Sequence, residues 1–249
     1  MTAMSIDAAH VHWTIGGAPA TAEQAITALA TRPLLLLMHG FGSFEGDLIG
    51  LAPRLPHEFV CASPRALLVA PPPIVNGFAW WELPIGPDGM PKRVSDPSHF
   101  AGTGPHQAAT SVLEWLDELD EQVAEASGGV GLGTIALLGF SQGGCMVTSM
   151  LRLRPERFAA GVNCSGFVAP GQHDDSALAA VSPPLFWGRD EHDPIISPDR
   201  IDFTAQWSPA NTALEAHLYE GIAHGIGADE VDDIAAFLRR HVLGTPQTV

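Results

Sequence analysis

Between residues 134 and 147 an apolar run, Ile135 to Leu138, leads straight into Gly139-Phe-Ser-Gln-Gly143, and a helical pattern follows. Four consecutive apolar residues are the signature of a parallel strand covered on both faces. A serine between such a strand and a helix, with glycine two residues to either side, has the spacing of a nucleophile elbow. The spacing has a steric cause. A turn that tight puts the serine in a strained conformation and brings backbone segments together, so bulky side chains are excluded at the flanking positions. The turn lifts the Ser141 hydroxyl above the carboxyl edge of a sheet, beside a helix N-terminus. Gly-x-Ser-x-Gly alone is a short pattern; its place between strand and helix makes it specific.

The rest of the chain supplies the sheet. His10 to Ile15 reads as a first strand and Thr21 to Thr31 as a helix capped by Thr21. Leu34 to Met38 is a central strand ending in His39-Gly-Phe-Gly42, followed by a helix over Asp47 to Leu55. Ala66 to Ala70 reads as a further buried strand. His106 to Ala126 is the clearest helix, with Val112, Leu116, Leu119 and Val123 at helical spacing and acids opposite. Phe158 to Cys164, Leu185 to Trp187 and Ala213 to Tyr219 are strands, and Asp229 to Val242 a last helix. Strands alternating with helices predict an α/β fold with a mainly parallel central sheet and helices on both faces. The reading gives one domain over 1–249. Residues 74–105, rich in Gly and Pro, form a long excursion. Its length suits a functional loop near the active site, and a surface excursion anchored by its aromatics fits equally well.

Composition narrows the function. Apolar residues make up 46% of the chain, enough for a large core. The formal charge of −16, with Lys92 as the one lysine, disfavours nucleic acid and anionic membranes. Solubility by itself accounts for the excess acid. Three cysteines, Cys61, Cys145 and Cys164, lack metal-ligand spacing. They fit buried free thiols in a reducing compartment. No signal peptide or membrane span is visible, and a cytoplasmic location is expected. Gly128 to Gly133 loosely matches a dinucleotide fingerprint, but it precedes a strand instead of opening a helix, which argues against a nucleotide site.

A serine needs a base, and the base needs a carboxylate to orient it. The order nucleophile, acid, histidine points to His224, in the glycine-bearing loop between the last strand and the last helix. His217 lies in a strand pattern and His241 near a helix end, both read as structural. His173 follows the elbow too closely to come after an acid. The loop Gly188 to Ile196 offers Asp190, Glu191 and Asp193; Asp193, fixed in a turn by Pro194, is favoured, and Asp190 stays open. His192 beside them reads as a solvated residue, because adjacent side chains do not converge on a metal. The backbone N–H groups of Gln142 and Phe41 suit an oxyanion hole, and His39 suits a brace for that loop.

With these pieces placed, the sequence resembles the phospholipase/carboxylesterase family of α/β-hydrolases, which includes acyl-protein thioesterases. The residues that carry the likeness are Leu37 to Gly42, Asp47 to Leu55, Gly77 to Trp81, Gly139 to Gly144, Asp193 to Ile196 and Ala223 to Gly225. The resemblance implies cofactor-free hydrolysis of carboxylic esters or thioesters. Ser141 would be nucleophile, Asp193 acid, His224 base, and Phe41 and Gln142 oxyanion donors. Two departures stand out: the acid loop exceeds the family's spacing of glycine, two residues and Asp-Pro, and the N-terminal segment does not align. The expected function is a serine carboxylesterase acting on small to medium acyl chains through an acyl-enzyme. Phe78, Trp80, Trp81 and Leu83 are candidate pocket residues. Lysophospholipase or thioesterase activity is the alternative within the class. A dienelactone-hydrolase-like reading fits less well, since that group uses cysteine as nucleophile. A catalytically silent ligand-binding scaffold is the alternative outside the class. The expected partner is a small-molecule ester, with no metal, no nucleic acid and no stable membrane association; a homodimer is left open.

Overall fold

The structure, a computed structural model, describes residues 5–86, 92 and 96–244. Residues 87–91 and 93–95 of the predicted excursion lie outside that description. In chain order the elements are β1 (Val11–Ile15), β2 (Ala18–Ala20), α1 (Ala22–Leu29), β3 (Leu34–Met38), β4 (Val60–Pro64), β5 (Leu68–Val69) and β6 (Phe78–Ala79). They continue with α2 (Gly104–Ser127), β7 (Ile135–Phe140), α3 (Gln142–Leu153), β8 (Ala160–Cys164), α4 (Ser176–Val181), β9 (Pro184–Arg189), α5 (Pro198–Asn211), β10 (Ala213–Leu218) and α6 (Ala228–Leu238).

Eight strands form one sheet in the order β10-β9-β8-β7-β3-β4-β1-β2. The six from β10 to β4 run parallel, and β1 closes the sheet antiparallel to β4 and β2. The N-terminal segment that no family pattern fitted is therefore a hairpin on the sheet edge.

The apolar run of β3 serves two cores at once, because alternate residues of a strand face opposite ways. Leu34, Leu36 and Met38 pack with Ala25 and Leu29 of α1, Val112 and Leu116 of α2, and Met146 and Met150 of α3. Leu35 and Leu37 face the other side, against Leu48, Leu55, Val231, Ile234 and Leu238. Helices cover both faces, as the unbroken hydrophobic strands require.

Two predicted elements need correction. Ala66 to Ala70 is not a sheet strand. That place belongs to β4, and Leu68–Val69 pairs antiparallel with Phe78–Ala79 in a separate ribbon. Val69 is 75% exposed, whereas every residue of β4 is buried although Cys61, Ser63 and Pro64 give it no apolar look. The predicted helix over Asp47 to Leu55 is a 3-10 helix, Leu48–Arg54. Pro53 inside it has no N–H for an α-helical bond, and the turns close three residues back, Gly50 N–H to Asp47 O and Leu55 N–H to Ala52 O. The helices α4 and α5 have no counterpart in the sequence reading. In α5 only Thr204, Trp207 and Ser208 are buried, so no apolar stripe announces it.

Candidate active site

β7 delivers Ser141 into the turn before α3 with φ 55° and ψ −112°, a conformation few residues other than glycine adopt. The glycines around it are a steric requirement. A Cβ on Gly139 would collide with the carbonyl of Gly143, and one on Gly143 with the carbonyl of Met38. Cys164 O receives the Ser141 N–H at 2.9 Å, tying the turn to β8.

The three residues expected to cooperate meet here. His224 Nε2 lies 2.9 Å from Ser141 Oγ and His224 Nδ1 lies 2.8 Å from Asp193 Oδ2. Phe140 packs against the imidazole, ring centres 5.0 Å apart. The other carboxylate oxygen of Asp193 accepts the N–H groups of Ile195 at 2.7 Å and Ile196 at 3.0 Å. Burial pushes the Asp193 carboxyl up, but the His224 bond and these two N–H groups outweigh it and hold the group below its ordinary range. An ionised carboxylate so placed keeps the Nδ1 proton on its own side of the ring and leaves Nε2 free to accept.

Asp190, the other candidate acid, has different partners. One oxygen accepts the N–H of His192 at 2.9 Å, the other the N–H of Ala223 at 2.8 Å. Ser165, at φ 47° in the turn after β8, donates its hydroxyl to the carbonyl of Gly225 at 3.1 Å. The loop carrying His224 is thus gripped on both sides of the imidazole by residues the sequence reading did not assign there. The signal was the pair of polar residues at strand ends, Ser165 and Asp190, but their targets are backbone atoms with no mark in the sequence.

The loop after β3 runs directly against the elbow. A Cβ on Gly40 would touch the Phe140 ring at 2.9 Å and lie 3.5 Å from Ser141 Cβ. Gly42 N–H is taken by Phe78 O and Ser43 N–H by Gly40 O, while no bond within the described residues engages the N–H of Phe41. His39 is fully buried and braces this loop: Nδ1 meets Gly40 O at 2.8 Å and Nε2 accepts Ala66 N–H at 3.2 Å. That pattern fixes a neutral ring, and desolvation lowers its proton affinity.

The pocket candidates divide. Trp80 is wholly buried, so it offers no surface to a ligand and leaves the pocket set. Its indole N–H donates to His39 O at 2.8 Å and its backbone N–H to Gln142 Oε1 at 2.9 Å. The Gln142 amide also donates to Trp81 O at 3.0 Å, and Trp81 keeps 8% of its surface. These aromatics clamp elbow and oxyanion loop together through the Gln142 side chain, a role its backbone assignment did not suggest. Phe78 and Leu83 are half-buried, Phe78 under the Arg65 guanidinium at 4.3 Å. The other histidines lie elsewhere: His217 stacks on Phe186, His241 binds Glu215, and His192 keeps 86% of its side chain exposed. Cys61, Cys145 and Cys164 are buried free thiols.

A mainly parallel sheet with a serine at a strand-to-helix elbow, followed in chain order by an aspartate and a histidine on later strand-end loops, defines an α/β-hydrolase. Within that class the chain belongs to the phospholipase/carboxylesterase family, whose sequence profile matches residues 22–242. It is 28% identical over 145 residues to acyl-protein thioesterase 1 of Cryptococcus neoformans, an alignment covering 51% of this chain and 60% of the fungal protein. Among solved structures it resembles esterase PE8, with a TM-score of 0.65 at 24% identity over 87% of this chain and 95% of that one. A carboxylesterase from Mesorhizobium loti superposes with a TM-score of 0.63 at 19% identity, covering 84% and 88% of the two chains. Among the described residues no helix is long and apolar enough to cross a membrane.

Proposed function

We propose that this protein is a serine hydrolase of carboxylic esters that works through an acyl-enzyme on Ser141. The observation that carries the reading is the continuous relay Asp193 Oδ2, His224 Nδ1, His224 Nε2, Ser141 Oγ, with both contacts under 3 Å. His224 Nε2 takes the hydroxyl proton as Ser141 Oγ attacks the ester carbonyl, and Asp193 stabilises the imidazolium. The oxyanion that develops is met by the N–H groups of Gln142, at the start of α3, and Phe41. Collapse breaks the bond to the alkoxy group, which leaves as the alcohol with the proton from His224. A water then attacks the acyl-enzyme with His224 as base, releasing the acid and restoring Ser141.

The substrate class is a small to medium acyl ester, with the half-buried Phe78 and Leu83 contributing apolar surface. Thioesters are the second reading, favoured by the likeness to acyl-protein thioesterase 1. A charge of −16 supports an uncharged small molecule as partner over nucleic acid or an anionic bilayer. The buried free thiols support a reducing, cytoplasmic setting. The test is Ser141→Ala. It is expected to lose hydrolysis of p-nitrophenyl acyl esters and covalent labelling by a fluorophosphonate; activity at the wild-type level would end the proposal. A chain-length series of paired esters and thioesters separates the two substrate readings.

A further inference from the structure

Asp190 has a carboxylate with only 3% of the residue exposed, and among the described residues no side-chain cation lies against it. The guanidinium of Arg189 goes to the Asp190 carbonyl, and the His192 ring stands 4.0 Å off in solvent. Burying a carboxylate without a countercharge is costly unless N–H groups replace its water. The groups that do so here are specific. One oxygen holds the N–H of His192, the residue before Asp193; the other holds the N–H of Ala223, the residue before His224. Those N–H groups lie on two loops, one after β9 and one after β10, which are adjacent parallel strands with Arg189 opposite Leu218. Ala223 sits at φ 53°, a conformation that costs an alanine about 1 kcal/mol or more and persists only where something holds it.

We propose that Asp190 is a positioning residue that fixes the spacing between Asp193 and His224 by gripping both of their loops with one carboxylate. The inference rests on the Ser141 mechanism above. A capping role confined to its own turn would need only the His192 bond; the Ala223 bond crosses to the neighbouring loop. Catalytic geometry is demanding, and a displacement of about 1 Å in such a relay lowers turnover about 100-fold. The Ser165–Gly225 and Glu230–Gly227 bonds tether the histidine loop independently, so loss of the Asp190 grip loosens that loop without unfolding it.

Asp190→Asn is the test, because an amide has one acceptor oxygen where the carboxylate has two, and it cannot hold the His192 and Ala223 N–H groups as the two oxygens do. With folding verified by circular dichroism, kcat for a fluorogenic ester is expected to fall about 10- to 100-fold with KM within about 3-fold of wild type. In an Asp193→Asn background the same change is expected to cost less than about 3-fold, since the relay it positions is already broken. Wild-type kcat in Asp190→Asn, or an equal loss in both backgrounds, overturns the proposal. If Asp190→Asn does not fold, Asp190→Glu carries the same comparison: both oxygens remain but lie one methylene further out. A loss of about 3-fold or more that vanishes without Asp193 supports the proposal, and unchanged turnover overturns it. Failure of the underlying mechanism is distinct, because it would show as hydrolysis by Ser141→Ala.

Discussion

His224 Nε2 and Ser141 Oγ stand 2.9 Å apart although 83 residues separate them in the chain. The contact exists because β7 and β10 belong to one sheet and release their following loops at the same edge, with β8 and β9 between them. Neither loop could supply the pair alone.

Asp193→Asn is expected to reduce kcat about 10⁴-fold while leaving the fold intact. The two N–H groups of Ile195 and Ile196 would claim the amide oxygen and turn its NH2 toward His224 Nδ1. The imidazole must then carry its proton on Nε2, facing Ser141, where it cannot act as base. Steady-state kinetics with a circular dichroism control decide this, and a loss below about 10-fold would remove Asp193 from the relay.

Ser141→Gly is expected to be inactive and more stable. A non-glycine residue at φ 55° and ψ −112° stores about 1–3 kcal/mol, which glycine does not. Part of the gain is offset by the flexibility of glycine in the unfolded chain, leaving a rise in Tm of about 2–4 °C. A thermal melt showing a lower Tm would mean that the elbow is not strained.

Gln142→Met keeps the volume and the backbone N–H of residue 142 but removes the amide between Trp80 N–H and Trp81 O. Two buried backbone groups lose their partner, for about 2–4 kcal/mol and a fall in Tm of about 5–10 °C. Turnover is expected to fall as well, because the aromatic segment braces the Phe41 loop through His39. Unchanged Tm and kcat would show that the clamp is incidental.

Glu230 is fully buried at the start of α6, beneath the histidine loop, and one of its oxygens has no partner among the described residues. Its carboxyl is raised to about 7, chiefly by burial and further by Asp233, against the pull of the Gly227 N–H and the Cys164 thiol. The folded state therefore binds this proton more tightly than the unfolded chain, whose glutamate has the ordinary value of 4.5. Stability from the group is full below about pH 4.5 and is lost as the pH rises through about 7, on the order of 3 kcal/mol. Asp193, held low, works in the opposite sense and loses its contribution as the medium becomes acidic. Glu230→Gln is expected to flatten the decline in urea-unfolding free energy between pH 5 and pH 7.5 while keeping the Gly227 bond. The same slope in the variant would place the titration elsewhere.

Chain order and strand-end position single out Ser141 and His224 in the sequence, because the elbow needs glycine at fixed offsets and the histidine loop follows the last strand; the structure brings the two side chains within 2.9 Å. Asp190 and Asp193 could not be separated that way. Both sit in one loop after β9, and the choice depends on which carboxylate a neighbouring strand brings to the imidazole. Trp80 differs from its sequence expectation for a related reason. An aromatic in a glycine-rich stretch looks available to a ligand until its indole is found donating to His39 O inside the core.

The periodicity of the strands, the steric identity of the elbow and the order of the chemical groups are all written in the sequence. These are local properties, set by side-chain size, polarity and backbone freedom over a few residues. It is the folded chain that puts Val60–Pro64 and not Ala66–Ala70 into the sheet, turns Asp193 to His224, and sets Asp190, Ser165 and the Gln142 side chain on backbone atoms of other loops. A backbone N–H or carbonyl is the same at every residue, so a bond to one leaves no trace in the sequence that receives it. The Ser141–His224 contact was legible as an order of residues; its 2.9 Å distance belongs to the sheet.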